Sequence, residues 1–205
     1  MKRLWRLGDD GFTLVELLMA SVIGAVVVGV ISAALIVGFK TIDGTQGRFS
    51  DSHDGQIAQD YFTTDAQSSD AVDSSASDTT CGGASPLLRF RWTGRATDPP
   101  TDYEVVSYRL RSLNGESQLI RQTCAGTTDF TGLSPNQTLV LGHNILGTPT
   151  VACTYSPGPP DTTCNTGTSA NPFVTVKLTV VSQTTAHNVA DTFTYVLKAS
   201  RRSSQ

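Results

Sequence analysis

The pattern of apolar and polar positions changes character twice along the chain. From Leu17 through Phe39 there are 23 residues without a charge. As an α-helix that run is about 34 Å long at about 1.5 Å per residue, enough to cross a hydrocarbon core of about 30 Å. Beyond Phe39 the apolar residues thin to Ile42, Phe49, Ile57 and Phe62 with its neighbour Tyr61, spaced mostly seven or eight apart. This spacing predicts one apolar stripe on a helix that resumes and reaches about Gln67. Gly44, Gly47 and Gly55 each weaken it by about 1 kcal/mol relative to Ala, and Gly44 is the candidate position for a break.

Alternation takes over in the second half. Residues 68–80, reading SSDAVDSSASDTT, are expected to form a polar loop. Leu88, Phe90 and Trp92 then alternate with Arg89 and Arg91, and Val106, Tyr108 and Leu110 with Ser107, Arg109 and Arg111. Asn114-Gly115 is a turn signal, with Gln118-Leu119-Ile120-Arg121 as the returning strand. Val174, Val176, Leu178 and Val180 alternate with Thr175, Lys177 and Thr179, and Phe193, Tyr195 and Leu197 with Thr194, Val196 and Lys198. Period two of this kind predicts an antiparallel sheet buried on one face and wet on the other. Its buried face should lie against the helix from Thr41 to Gln67. A long helix followed by strands is an α+β order.

Composition narrows the function classes. At 205 residues the chain holds one ordinary domain plus an appendage. Its formal charge of −3 leaves no basic excess to neutralise phosphates, so no nucleic-acid partner is predicted. Its 16% of charged residues also excludes a highly charged disordered chain.

The placement of charge at the amino terminus is more telling. Lys2, Arg3 and Arg6 precede the apolar run, which predicts a cytoplasmic start and an exported body. Gly11 borders the polar leader, followed by Phe12-Thr13-Leu14-Val15-Glu16, so a carboxylate sits near the start of an otherwise uncharged helix. An acid costs about 2.5–3.5 kcal/mol at the centre of a membrane helix and less near the interface, so Glu16 calls for a counter-charge. Cleavage after Gly11 would give Phe12 a new α-amine one turn from Glu16, or from the Glu16 of a neighbouring copy.

The string Gly11-Phe12-Thr13-Leu14-Val15-Glu16-Leu17-Leu18 resembles the processing site of type IV pilins and type II secretion pseudopilins. The resemblance implies that prepilin peptidase cuts between Gly11 and Phe12 and N-methylates Phe12. It implies that Glu16 pairs with the amine of an adjacent subunit on assembly, unlike the tip pseudopilins that lack this acid. It further implies a pilin-like fold, other pilin or pseudopilin subunits and an inner-membrane assembly platform as partners, and membrane lipid around the helix before assembly. The location implied is the bacterial cytoplasmic membrane, crossed once, and then an envelope or cell-surface filament. Many filament-forming relatives carry a proline in this helix, whereas the first proline here is Pro86. Helix melting on assembly is therefore not expected. The stretch Tyr108–Arg121 is loosely similar to the larger J-type minor pseudopilins, and the length of the body points to a minor rather than a major subunit.

Read this way, the chain divides into a leader (1–11), a membrane and filament-core helix (12–39), a soluble helical part (40–67) and a β-domain (68–205). Ser21, Ala25, Gly29 and Ala33 recur every four residues and give a face of small side chains suited to close helix packing. Two rivals are a secretory signal peptide cut after Ser32-Ala33-Ala34 and a plain membrane anchor. A rival of another class is an anchored or secreted binding module that recognises a ligand or DNA through the loops of its β-domain.

Cys81, Cys124, Cys153 and Cys164 all follow the apolar segment, and an even count in an exported domain favours disulfides. Of the three pairings, Cys153–Cys164 with Cys81–Cys124 is favoured. Zinc is the rival, but there is no CxxC pair and His53, His143 and His187 are scattered. Asp70, Asp73 and Asp78 invite comparison with calcium ligands, which some pseudopilins use, yet they lack the spacing of an EF-hand loop. No metal and no cofactor is predicted. Nor is an enzyme, since no nucleophile, metalloprotease or phosphate-loop motif is present. Asp98 and Asp102 flank Pro99-Pro100 in an expected turn, Asn136-Gln137-Thr138 matches a glycosylation sequon, and Arg201–Gln205 reads as a frayed tail.

Overall fold

The computed structural model describes residues 12–75, 80–83, 85–94, 102–155, 164, 173–186 and 189–202. It has two compact units, Met1–Thr45 and Gln46–Gln205. One helix, α1 (Leu14–Ser68), contributes to both, and its helical assignment runs through Gly44, the candidate position for a break.

In the first unit the described part is α1 alone. Leu14–Phe39 is long and apolar enough to cross a membrane, and none of it is buried within the chain. Leu, Ile and Val side chains that no protein surface covers are what a lipid or fibre environment accommodates.

In the second unit α1 is followed, among the described residues, by eight strands. These are β1 (Ala71–Asp73), β2 (Leu88–Thr93), β3 (Tyr103–Leu113), β4 (Glu116–Gly126), β5 (Gln137–Gly142), β6 (Thr150–Tyr155), β7 (Phe173–Ala186) and β8 (Val189–Ser200). The α+β order and the antiparallel pairing are as expected, but the strands form two sheets, β1-β2-β3-β4-β5 and β6-β7-β8. β3 and β4 make the anticipated hairpin, Tyr103 opposite Gly126 through Leu113 opposite Glu116. Its two-residue turn has positive φ at both Asn114 (54°) and Gly115 (86°), the backbone that a right-twisted hairpin selects.

The inner faces share one core. Ala58, Phe62 and Ala66, one turn apart on α1, meet Leu88, Phe90, Val106, Tyr108 and Leu119 of the first sheet and Val176, Leu178 and Leu197 of the second. Phe62 stands edge-on to Phe90 and to Tyr108, with ring centroids 5.4 Å apart in each case. Each such buried side chain contributes about 1.5–3 kcal/mol of transfer free energy. Gly47 and Gly55 bring the helix close: a Cβ on Gly47 would stand 3.3 Å from Cβ of Thr184, and one on Gly55 3.4 Å from the ring of Tyr195.

Four departures from the sequence pattern have local causes. The Ser/Asp-rich stretch expected to be loop contains β1, because Val72 is buried opposite Phe90 of β2 and its neighbours Ala71 and Asp73 pair with Arg91 and Arg89. The reverse face of β3 and β4, expected to be wet, is closed by a second small core of Cys81, Val105 and Cys124 with Phe130 and Leu133. Arg89, on the same side of β2, is fully buried, its guanidinium donating to Ser75 O and Gly83 O at 3.4 Å each. Val174, expected inside, is 42% exposed. The register of β6 with β7 jumps from Thr175 to Phe173 there, and the extra residue turns Val174 outward and Phe173 inward. Finally, Arg201 is not frayed: its N–H donates to Val174 O at 3.1 Å, and its guanidinium lies 3.7 Å from Asp70.

Candidate assembly site at the amino-terminal helix

The helix start is set by Thr13. Its Oγ1 accepts the N–H of Glu16 at 3.3 Å and its carbonyl accepts that of Leu17 at 3.1 Å. Thr13 is thus the N-cap and Glu16 the third helical residue, the Thr-x-x-Glu spacing of a capping box. Phe12 lies just outside the helix and is 82% exposed. Glu16 stands in the first turn, where a carboxylate faces the positive end of the helix dipole, and it too is exposed. Gly11, on the other side of the expected cleavage point, lies outside the described residues.

Ser21, Ala25, Gly29 and Ala33 are exposed along α1, and a Cβ on Gly29 would meet nothing within 4 Å. The two hydroxyls of its apolar segment Leu14–Phe39 bond within the helix, Ser21 donating to Leu18 O and Ser32 to Val28 O, each at 2.8 Å. A polar group that bonds its own helix suits an apolar surrounding.

In the body, Cys81 is bonded to Cys124 and Cys153 to Cys164, the two pairs favoured from the sequence. Of the loop that the second bond closes, only Thr154 and Tyr155 are described. Asp73 is engaged by Arg91 at 3.2 Å and by Arg89 at 4.0 Å, while Asp70 faces Arg201 and accepts the N–H of Thr93 at 3.4 Å. Asp78, Asp98 and His187 lie outside the described residues. His143 Nδ1 is 2.9 Å from Asp54 Oδ2, and His53 is exposed. Among the described residues no three His, Cys, Asp or Glu side chains converge as metal ligands.

Sequence reasoning missed the strongest polar contact of the body. Asp65 accepts Nε and Nη2 of Arg121, each at 2.7 Å, and Tyr108 Oη donates to it at 2.6 Å. The Arg121 guanidinium also lies over the ring of Tyr61, 5.1 Å from its centroid. Burial and then the Asp65 charge push the Tyr108 phenol well above its usual range. Burial pulls the Arg121 guanidinium down, and the hydrogen bonds and charge of Asp65 outweigh it, so its pKa is raised. The signal was available: Asp65 falls on the apolar stripe, three residues after Phe62 and seven after Ala58. An acid on a buried stripe needs a partner.

With this geometry in view, comparison with known proteins gives one match. Residues 7–32 match the family model of the prokaryotic N-terminal methylation motif. The matched segment includes Gly11, Phe12, the Thr13 cap, Glu16 and the small residues through Gly29. No curated protein and no solved structure matches the chain. A prepilin-type methylation motif at the head of an apolar helix, followed by an α+β body, supports a pilin- or pseudopilin-type subunit. It implies processing by prepilin peptidase, membrane anchoring and assembly with other pilin subunits.

Proposed function

We propose that this chain is a minor pilin or minor pseudopilin, a structural subunit of a type IV pilus-like or type II secretion-like filament. The leader stays cytoplasmic, the 12–39 helix rests in lipid, and the 46–205 unit lies on the far side of the membrane. After residues 1–11 are removed and Phe12 is methylated, an inner-membrane platform draws the subunit into the filament. Glu16 then pairs with a neighbour's freed amine. No enzymatic activity belongs to this reading.

One observation carries it. Glu16 occupies the first turn of α1, in its exposed apolar segment Leu14–Phe39, four residues after Phe12 and inside the matched motif. A carboxylate entering an apolar fibre core is stable only beside a cation. The test is to compare wild type with Glu16→Gln and Glu16→Ala in a sheared or affinity-purified filament fraction. Membrane levels should stay equal while incorporation falls at least about tenfold, the equivalent of about 1.4 kcal/mol. Normal incorporation of both variants would contradict the assignment.

A further inference from the structure

β8 ends the three-stranded sheet, so among the described residues one of its edges faces no other strand. Two contacts establish which main-chain groups lie along that edge. Just past the strand, the N–H of Arg201 donates inward to Val174 O. Lys198 faces the other way: its N–H donates to Oε1 of Gln59 at 3.0 Å, and its carbonyl accepts Nε2 of Gln59 at 2.8 Å. In an antiparallel pair, successive residues alternate between facing the partner strand and facing away. Thr192, Thr194 and Val196 therefore point their N–H and C=O groups along the same free edge as Lys198.

The carboxamide of Gln59 stands in for a neighbouring strand at Lys198 and nowhere else. Among the described residues no strand pairs with the edge from Thr192 to Val196. Alongside it, between α1 and β8, runs a groove of about 320 Å³ whose lining includes Gln56, Asp60, Phe193, Tyr195 and Val196. Val196 is 44% exposed. Asp60 is exposed and enters no ion pair among the described residues. Unpaired main chain, apolar lining and a free carboxylate thus adjoin one another.

We infer that this edge receives an extended segment of a different protein chain, which adds a fourth strand beside β8. The main chain of the incoming strand pairs with Thr194 and Val196, an apolar side chain enters the groove, and a Lys or Arg reaches Asp60. Strand addition of this kind takes affinity from the backbone and specificity from alternate side chains. A second copy of this chain fits poorly. Gln59 already holds the main chain of Lys198, so two identical edges could pair only over Thr192 to Val196, a stretch that carries no cation for Asp60. The edge belongs to the 46–205 unit and stands whether or not the chain enters a filament.

The test uses the full chain in phospholipid nanodiscs panned against a random peptide library, with empty nanodiscs subtracted. Enriched peptides should alternate apolar residues with Lys or Arg and should slow amide exchange at Val196. Val196→Pro removes an edge N–H that has no partner among the described residues, so the fold should be retained and binding should weaken about tenfold. Asp60→Lys gives a second reading that is independent of the backbone change and should weaken the same peptides by a similar factor. Failure to enrich any alternating basic peptide would overturn the inference. Binding indifferent to both substitutions would overturn it as well, and so would self-association of the chain that Val196→Pro abolishes.

Discussion

Asp65 on α1 and Arg121 on β4 meet through two parallel hydrogen bonds of 2.7 Å, although they are 56 residues apart in sequence. Asp65 is 2% exposed, and Tyr108 of β3 fills a further acceptor site on its Oδ2. The acid thus ties the last turns of α1 to two adjacent inner strands of the larger sheet, β3 and β4. Its removal would leave a guanidinium and a phenol buried without their partner.

Breaking this pair should be the most damaging single polar change in the body. Asp65→Ala should cost about 3–5 kcal/mol, because it strands the Arg121 charge in a low-dielectric site. Replacing both partners by apolar residues, Asp65→Leu with Arg121→Met, should cost much less than Asp65→Ala alone. Denaturant unfolding of the full chain in detergent, followed by near-ultraviolet circular dichroism, separates the two outcomes.

Asp51 should give the body an acid-favoured component of stability. Burial pushes its carboxyl up, the Ser182 hydroxyl holds it back, and the charges of Asp54 and Asp191 push it up further. A carboxyl whose folded pKa exceeds its unfolded value stabilises most below the unfolded value, about 3.9, and that stabilisation is lost as pH rises through the folded value. Asp51→Asn fixes the neutral form. It should therefore raise the thermal midpoint at pH 7 and flatten the decline that wild type shows as pH climbs from about 4 towards neutrality. Melting curves over that range provide the check.

The two disulfides should differ in worth. Cys81–Cys124 spans 43 residues of sequence and Cys153–Cys164 spans 11. In the chain-entropy model they constrain the unfolded chain by about 4 and about 2.8 kcal/mol respectively. Cys81→Ser with Cys124→Ser should also loosen the second core around Val105, Phe130 and Leu133, adding to its deficit. Unfolding midpoints of the two double variants rank the bonds.

Two glycines should respond oppositely to alanine. At Gly55 a Cβ makes ordinary contact with Tyr195, so Gly55→Ala should be neutral or gain up to about 1 kcal/mol of helix propensity. At Gly142 a Cβ would stand 2.5 Å from Oη of the buried Tyr195, so Gly142→Ala should cost about 1–3 kcal/mol. Thermal melts of the two single variants test both signs.

Much of the body was legible because periodicity is local. Period two placed Tyr195 and Leu197 inside and Val196 and Lys198 outside, and Asn114-Gly115 marked its own turn. Features that depend on distant partners left no local trace. Arg89 looks like a wet-face residue until the main chain at Ser75 and Gly83 closes over it. Val174 keeps its place in the alternation, and only the bulge opposite Tyr155 reverses its side. The split into two sheets was invisible for the same reason, since alternation does not say which strands pair. At the amino terminus the motif was plain in the sequence, and the structure adds that Thr13 caps the helix between Phe12 and Glu16.

The account rests most heavily on processing at the Gly11–Phe12 peptide, and an intact mass of the chain recovered from its native membrane tests that directly. The predicted result is a single species that begins at Phe12 and carries one added methyl group on its α-amine. A chain that still begins at Met1, or one that begins at Leu35, would contradict it.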